Sequence, residues 1–434
     1  MFIRIDRKII KIVSLSLLIV LLYIFYRSFF SFDENRINSY LKFIIIIIFF
    51  FIINSVIFFL DKETQRIYNI TIFSLILIFY LSEVFLNFFN FSNFDARTKF
   101  QIYKDEGFIP AIHPYNFRNS DFRPVSGISN KKTILCTENF IRPVFKSDKY
   151  GFNNPNYIYD NIENKNNILF LGDSFVFGEC VKSENTFVNL IRKKINKNIF
   201  NFSYGGNGPL EKLSTLIEYG EIVNPKHIFW FYYEGNDLWD LHDSLDKKIM
   251  NVLNDDYISL KLKENDIKKN EILNKFLINS VEKELTNNKQ SKLTKFKNFL
   301  KLQKVRNLLI QGYFDLYVSI DKNKIINDSL KYENELKIFK EILLKTQKIA
   351  SSYNSKLTIV YLPSHKRYLV NNEKLYFKED LIDFFKKNNL DYFDADSEIF
   401  SQFNFKKWKS SQSGHYNKFG QNLLHIKILE KLNY

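Results

Sequence analysis

The sequence predicts an α/β body built on a parallel sheet, preceded by three N-terminal transmembrane helices. Two observations predict it. From residue 167 onward, short apolar runs alternate with helical periodicities, the pattern of a parallel sheet covered on both faces. Ahead of that body lie three apolar stretches, each near the ~20 residues a helix needs to cross ~30 Å of hydrocarbon. The 434 residues, 46% of them hydrophobic, suffice for two or three compact units and exclude wholesale disorder. Two cysteines exclude a disulfide framework or a multi-cysteine zinc site.

The stretches are Ile9–Phe30, Leu41–Leu60 and Ile67–Phe89 within an anchor spanning 1–93. Lys11, Arg27 and Lys42 lie near their ends, where long basic side chains snorkel to the interface. Phe43–Leu60 has no charge and is apolar on every face, unlike a soluble core helix. The first stretch lacks a small-residue cleavage site, so a removed signal peptide is not expected. Arg4, Arg7, Lys8 and Lys11 place the N-terminus in the cytoplasm and, after three crossings, the body on the extracytoplasmic side. Glu83 falls inside the third stretch, either contacting a membrane partner or headgroup or snorkelling at the outer interface.

Residues 94–166, with Pro110, Pro114, Pro124, Pro143 and Pro155, read as an irregular, partly β lead-in. The body, 167–434, follows. Strands are expected at Asn167–Leu171, Ile199–Ser203, His227–Tyr233 and Lys356–Leu362. Helices are expected at Glu184–Lys197, Pro209–Tyr219, Leu330–Ser351, Asp380–Lys387 and Lys418–Leu432. A helical insertion at 240–327 carries two amphipathic stretches, Ile272–Val281 and the Lys-rich Leu293–Ile310. The second is either an arm leaning on anionic lipid or glycan, or an ordinary surface hairpin.

In such sheets, ligands bind beyond the carboxyl ends of the strands. The first strand ends in Gly172-Asp173-Ser174-Phe175, where a tight turn exposes a serine hydroxyl beside free helix amides. The second leads to Ser203-Tyr204-Gly205-Gly206, whose glycines let backbone N–H groups approach a ligand. The third ends in Glu234-Gly235-Asn236-Asp237, which puts a side-chain amide at the same rim. Gly414-His415-Tyr416 precedes the final helix. Each fragment alone is a common turn; their order and placement together point to one site.

These blocks resemble those of the SGNH (GDSL-type) hydrolases, over about Lys149–Tyr434. Ser174 resembles the nucleophile, Gly206 and Asn236 the oxyanion-hole donors, and His415 the base. The lead-in Lys149-Tyr150-Gly151-Phe152 is similar to segments preceding the catalytic domain in membrane-anchored relatives. The resemblance implies a flavodoxin-like three-layer α/β/α fold and esterase, deacetylase, lipase or acyltransferase chemistry on small acyl esters. The expected function is a membrane-anchored serine ester hydrolase acting on an acylated glycan or lipid of the envelope. An O-acyltransferase fed by a membrane acyl donor and an inactive binding scaffold are the alternatives. No cofactor or metal is expected.

One departure matters. The family places an aspartate three residues before the histidine, and this chain has Gln412 there and Ser413 after it. Three arrangements stay open: a Ser–His dyad steadied by Gln412, Ser413 or a backbone carbonyl; Asp394 or Asp396 folding back; or a slow or inactive site. Asp173 and Asp237 are expected to tie down turns. Cys180 is a packed residue, a second nucleophile, or half of a disulfide with Cys136. His365 and Arg367 are either substrate contacts or part of a solvated loop, and His425 reads as structural. The net charge of +15 accompanies no nucleic-acid-binding motif and follows from a Lys-, Asn-, Phe- and Ile-rich composition, so no nucleic-acid partner is expected.

Overall fold

The computed structural model describes residues 2–29, 34–88, 99–117, 122–134, 136, 142–160, 162–163, 166–245, 248–254, 266–288, 296, 299–302, 305–306, 322–370, 375–410 and 414–434. The chain forms two compact units, 1–92 with 290–314, and 93–289 with 315–434.

The first unit contains helices α1 (Phe2–Phe29), α2 (Glu34–Phe59) and α3 (Lys62–Phe88). Asp61 caps α3, accepting from the Thr64 backbone at 2.9 Å and its hydroxyl at 2.6 Å. Gln65 donates to the Phe58 and Leu60 carbonyls that the end of α2 leaves open. Asn54 donates to the Ile10 carbonyl at 3.0 Å, a polar link between α2 and α1. Among the described residues, Lys62–Phe85 is the stretch long and apolar enough to cross a membrane, and Ile44–Phe59 is a shorter apolar one. Of Leu293–Ile310, only 296, 299–302 and 305–306 are described. They belong to this unit: the Tyr80 hydroxyl donates to the Leu300 carbonyl, and the buried Glu83 carboxylate accepts from the Val305 N–H at 2.9 Å. Glu83 therefore holds a returning segment of its own chain, and does not snorkel.

In the second unit the lead-in supplies helix α4 (Lys99–Glu106) and strands β1 (Ile109–Pro110), β2 (Lys132–Ile134) and β3 (Val144–Lys146). They form a small sheet with β1 and β2 parallel and β2 and β3 antiparallel. Helix α9 (Asp266–Asn288), the first amphipathic stretch of the insertion, buries Leu273 and Leu277 against Ile109, Ile112 and Ile128 of this lead-in.

The main sheet runs β5-β4-β6-β7-β8, with every pair parallel. Its strands are β4 (Ile168–Leu171), β5 (Ile199–Asn201), β6 (His227–Tyr233), β7 (Lys356–Leu362) and β8 (Asp391–Asp394). Counted within the sheet, this is the 2-1-3-4-5 order of doubly wound flavodoxin-like folds. β4 is buried along its whole length, as a central strand covered on both faces must be. β8 escapes sequence reading: Asp391-Tyr392-Phe393-Asp394 is short and bounded by acids, with Phe393 its one fully buried apolar side chain.

Helices cover both faces. On one side α7 (Pro209–Val223), α11 (Glu333–Ser352) and α12 (Lys378–Lys387) bury Leu213, Leu216, Phe339, Ile342 and Leu381. On the other, α6 (Phe187–Arg192) and α15 (Lys418–Lys431) bury Ile191, Leu424 and Ile428. Burying such a Leu or Ile is worth about 1.5–3 kcal/mol, so these faces fix the helices to the sheet. The expected helix 184–197 is shorter than its pattern: Thr186 accepts from the Asn189 N–H and starts α6 only after a 3-10 turn at Ser183–Asn185.

Candidate active site

Ser174 opens α5 (Ser174–Phe177) directly beyond β4. Asp173 caps it, with its carboxylate accepting from the Phe175 N–H at 2.9 Å. The serine is buried, and its Oγ lies 2.8 Å from His415 Nε2. The two residues are 241 positions apart in the chain, so this contact is made by the fold alone.

Because β5 and β6 flank β4, the loops that follow them flank Ser174. Gly206 occupies the loop after β5 with φ +85°, a conformation that a side chain disfavours. Asn207 pins that loop to the lead-in by donating to the Val125 carbonyl at 2.9 Å. Asn236 occupies the loop after β6 and starts α8 (Asp237–His242). Its Oδ1 is buried without a hydrogen-bond partner among the described residues. The fold thus brings Ser174 and His415 into contact and places Gly206 and Asn236 on the neighbouring strand ends.

Asp237 serves the scaffold. It accepts from Lys212 Nζ at 2.6 and 2.7 Å and from the Tyr233 N–H at 3.0 Å, locking the turn beside Asn236. Burial pushes its carboxyl up to about 7 against the pull of Lys212. Burial, with Asp237 and Glu211 nearby, also holds Asp240 well above the ordinary carboxylate range. Glu234 joins the loops after β6 and β7: it accepts from the Ser364 N–H at 2.7 Å, from Arg367 at 2.6 to 3.1 Å, and from the Tyr361 hydroxyl. Arg367 is therefore a scaffold residue, not part of a solvated loop. His365 lies against Gly414, where a Cβ would stand 2.6 Å from its Cε1. Burial, then Lys409 and Lys366, lower its pKa to about 4.

The histidine end is fixed differently. The Ser410 N–H donates to the His415 carbonyl at 2.7 Å, and the Tyr416 hydroxyl donates to the Pro363 carbonyl at 2.9 Å. The Phe175 ring packs between His415, at 4.7 Å, and Tyr233, at 3.6 Å. Asn417 caps α15, accepting from the Phe419 and Gly420 N–H groups. Asp394 and Asp396 do not fold back onto the imidazole. Asp394 caps the turn at Ala395–Glu398 and pairs with Lys378, and Asp396 accepts from Tyr368 at 2.5 Å and Lys378 at 2.7 Å. Both line a separate polar cavity of about 550 Å³. Gln412 and Ser413 lie outside the described residues.

Cys180 is disulfide-bonded to Cys136, which excludes a second nucleophile and ties the lead-in to the segment after Ser174. Its Sγ stands 4.0 Å from His415 Nδ1. Gln421, which the sequence does not single out, bridges α15 to the nucleophile turn. Its Oε1 accepts from the Phe187 N–H at 2.9 Å, and its Nε2 donates to the Phe175 carbonyl at 3.3 Å. The available signal was a polar residue in register with Leu424 and Ile428 on an apolar helix stripe. His113 was also missed; its Nδ1 lies 2.9 Å from the Gly205 carbonyl.

A hydroxyl in contact with an imidazole, at the carboxyl ends of a parallel sheet, is an arrangement for nucleophilic acyl chemistry. No known family profile matches the sequence, and neither does any curated protein. Solved structures do resemble it. The psychrotrophic esterase EstA from Pseudoalteromonas sp. is 12% identical over 62% of this chain and 97% of its own, with TM-score 0.31. A protein described as lipolytic, of the G-D-S-L family, from Desulfitobacterium hafniense is 11% identical over 61% and 98%, with TM-score 0.33. One described as an acylhydrolase from Bacteroides fragilis is 9% identical over 66% and 98%, with TM-score 0.34.

Proposed function

We propose that this chain is a membrane-anchored serine ester hydrolase of the SGNH (GDSL) type, acting on acyl esters presented by an envelope glycan or lipid. The observation that carries the reading is the 2.8 Å contact between Ser174 Oγ and His415 Nε2 on the rim where this sheet class binds ligands. In this reading His415 Nε2 takes the serine proton as Oγ attacks the ester carbonyl. The tetrahedral oxyanion is held by the Ser174 and Gly206 N–H groups and the Asn236 amide. His415 then protonates the departing alcohol. Water, deprotonated by the same imidazole, cleaves the acyl-enzyme.

Anchoring is supported by apolar side chains that all three helices turn outward: Ile12 is 64% exposed, Ile45 67% and Phe73 65%. Contiguous exposed apolar surface of this kind marks a membrane or a partner. The basic residues Arg4, Arg7, Lys8 and Lys11 near the start of α1 support a body outside the cytoplasm, and a disulfide suits that compartment.

The full chain, extracted in mild detergent, is treated with a fluorophosphonate probe and digested. Labelling at Ser174 that Ser174→Ala removes is the expected result. An unlabelled Ser174 in folded protein overturns the enzyme reading.

A further inference from the structure

The imidazole hangs on a well-bonded piece of chain. Asn417, which caps α15, donates from Nδ2 back to the Lys407 and Lys409 carbonyls at 2.8 and 3.1 Å. Its N–H donates to the Trp408 carbonyl at 2.9 Å, and Lys409 pairs with Tyr416 in an antiparallel bridge. Gly420 lets the first turn of α15 lie against that bridge: a Cβ there would stand 2.6 Å from the Trp408 carbonyl oxygen and 3.1 Å from Tyr416 Cβ. The segment carrying His415 is thus joined to α15.

Gln421 of α15 reaches from this piece to the other reacting group. It is 0% exposed. Its Oε1 takes the N–H of Phe187, the first residue of α6, an amide that the helix itself leaves open. Its Nε2 donates to the carbonyl of Phe175, the residue next to the nucleophile. One neighbour is a donor and the other an acceptor, so the carboxamide has a single orientation. The apolar contacts of Leu424 and Ile428 hold α15 to the sheet without direction, whereas hydrogen bonds weaken steeply with distance and angle. A cycle closes: Ser174 meets His415, His415 leads along the chain to Gln421, and Gln421 returns to Phe175.

Resting on the hydrolase reading, we infer that Gln421 is a positioning residue for the reaction: it fixes α15 against the nucleophile turn and so holds His415 Nε2 within reach of Ser174 Oγ. A misplacement of about 1 Å costs about a hundredfold in rate. The same imidazole serves acylation and deacylation, so loosening it slows both steps together and leaves KM in place.

The full chain in mild detergent is assayed on 4-nitrophenyl acetate, and fluorophosphonate labelling of Ser174 is timed, in wild type, Gln421→Met, Gln421→Asn and Ile428→Val. Methionine fills the volume without a strong donor or acceptor. Asparagine keeps the amide but stops one methylene short of both partners. Each is expected to lower kcat about tenfold to a hundredfold, with KM within about twofold, and to slow labelling by the same factor. Ile428→Val, which loosens the core side of α15, should lower the melting temperature and leave kcat and the labelling rate at wild-type values. Where the methionine variant does not melt cooperatively, the asparagine variant decides. Wild-type kcat and labelling in a folded Gln421 variant overturn the inference, as does a loss carried by KM alone or one that Ile428→Val reproduces. Wild type that never labels at Ser174 removes the hydrolase reading instead.

Discussion

The two halves of the site are built by different means. Ser174, Gly206 and Asn236 sit in the turns and loops that follow three adjacent parallel strands, and the order β5-β4-β6 brings those connections to one rim. His415 sits in a loop, positioned by the Ser410 and Tyr416 bonds, the Phe175 ring and the nearby disulfide. The sheet-borne half inherits its precision from the core; the loop-borne half depends on several separate local contacts. The difference teaches where the site is vulnerable. Damage to the first half requires removal of a functional group, whereas the second can be loosened from the side.

The largest effect tests whether the loop-borne half matters at all. His415→Ala should lower turnover by about a thousandfold or more with folding retained, as for a catalytic base acting with its nucleophile. Circular dichroism beside ester turnover separates the two, and turnover near wild type would dissolve the pairing with Ser174. On the sheet-borne side, Asn236→Ala should cost about 2.7–4 kcal/mol of barrier, a hundredfold or more, at unchanged melting temperature. Normal turnover there would take Asn236 out of the site.

Two smaller effects sharpen the contrast. Replacing Cys136 and Cys180 by serine should lower stability by about 2–4 kcal/mol. It should also reduce turnover more than a thermally matched core variant does, because Cys180 borders the imidazole at 4.0 Å. Denaturation midpoints with and without a thiol reductant check the first part; a midpoint that reduction leaves unmoved contradicts the pairing. The smallest effect concerns pH. Burial depresses His227 and His365 to about 4, below the ordinary value near 6.5. Their neutral forms belong to the fold, so their contribution is complete above pH 6.5. It is lost as pH falls from there toward 4, at about 1.4 kcal/mol per pH unit for each. His365→Gln should flatten that decline in melting temperature, and an unchanged slope would show that His365 is not held neutral.

The same contrast explains what the sequence could reveal. Buried runs such as Ile168–Leu171 and His227–Tyr233 announce strands, and motifs at their ends announce the sheet-borne residues. His415 is legible only through its motif, since no periodicity places a loop residue in space. β8 was missed because four residues with acids at both ends show neither alternation nor an apolar run. His113 and Gln421 carry no local pattern that distinguishes surface from site. The Cys136–Cys180 bond stayed open because a spacing of 44 residues says nothing of distance. Part of the insertion, 290–314, groups with the N-terminal helices, a partition that only long-range contacts such as Glu83 to Val305 reveal.

The wide separation of the reacting pair has a consequence for how activity is acquired. Between serine and imidazole the polypeptide must lay down the four remaining strands of the main sheet, β5 to β8. Closing so long a loop is entropically slow, and the reward comes only when the late contacts form. A half-assembled copy therefore carries a quiet hydroxyl without its base. The pairing of Ser174 with His415 thus arrives only with completion of the body.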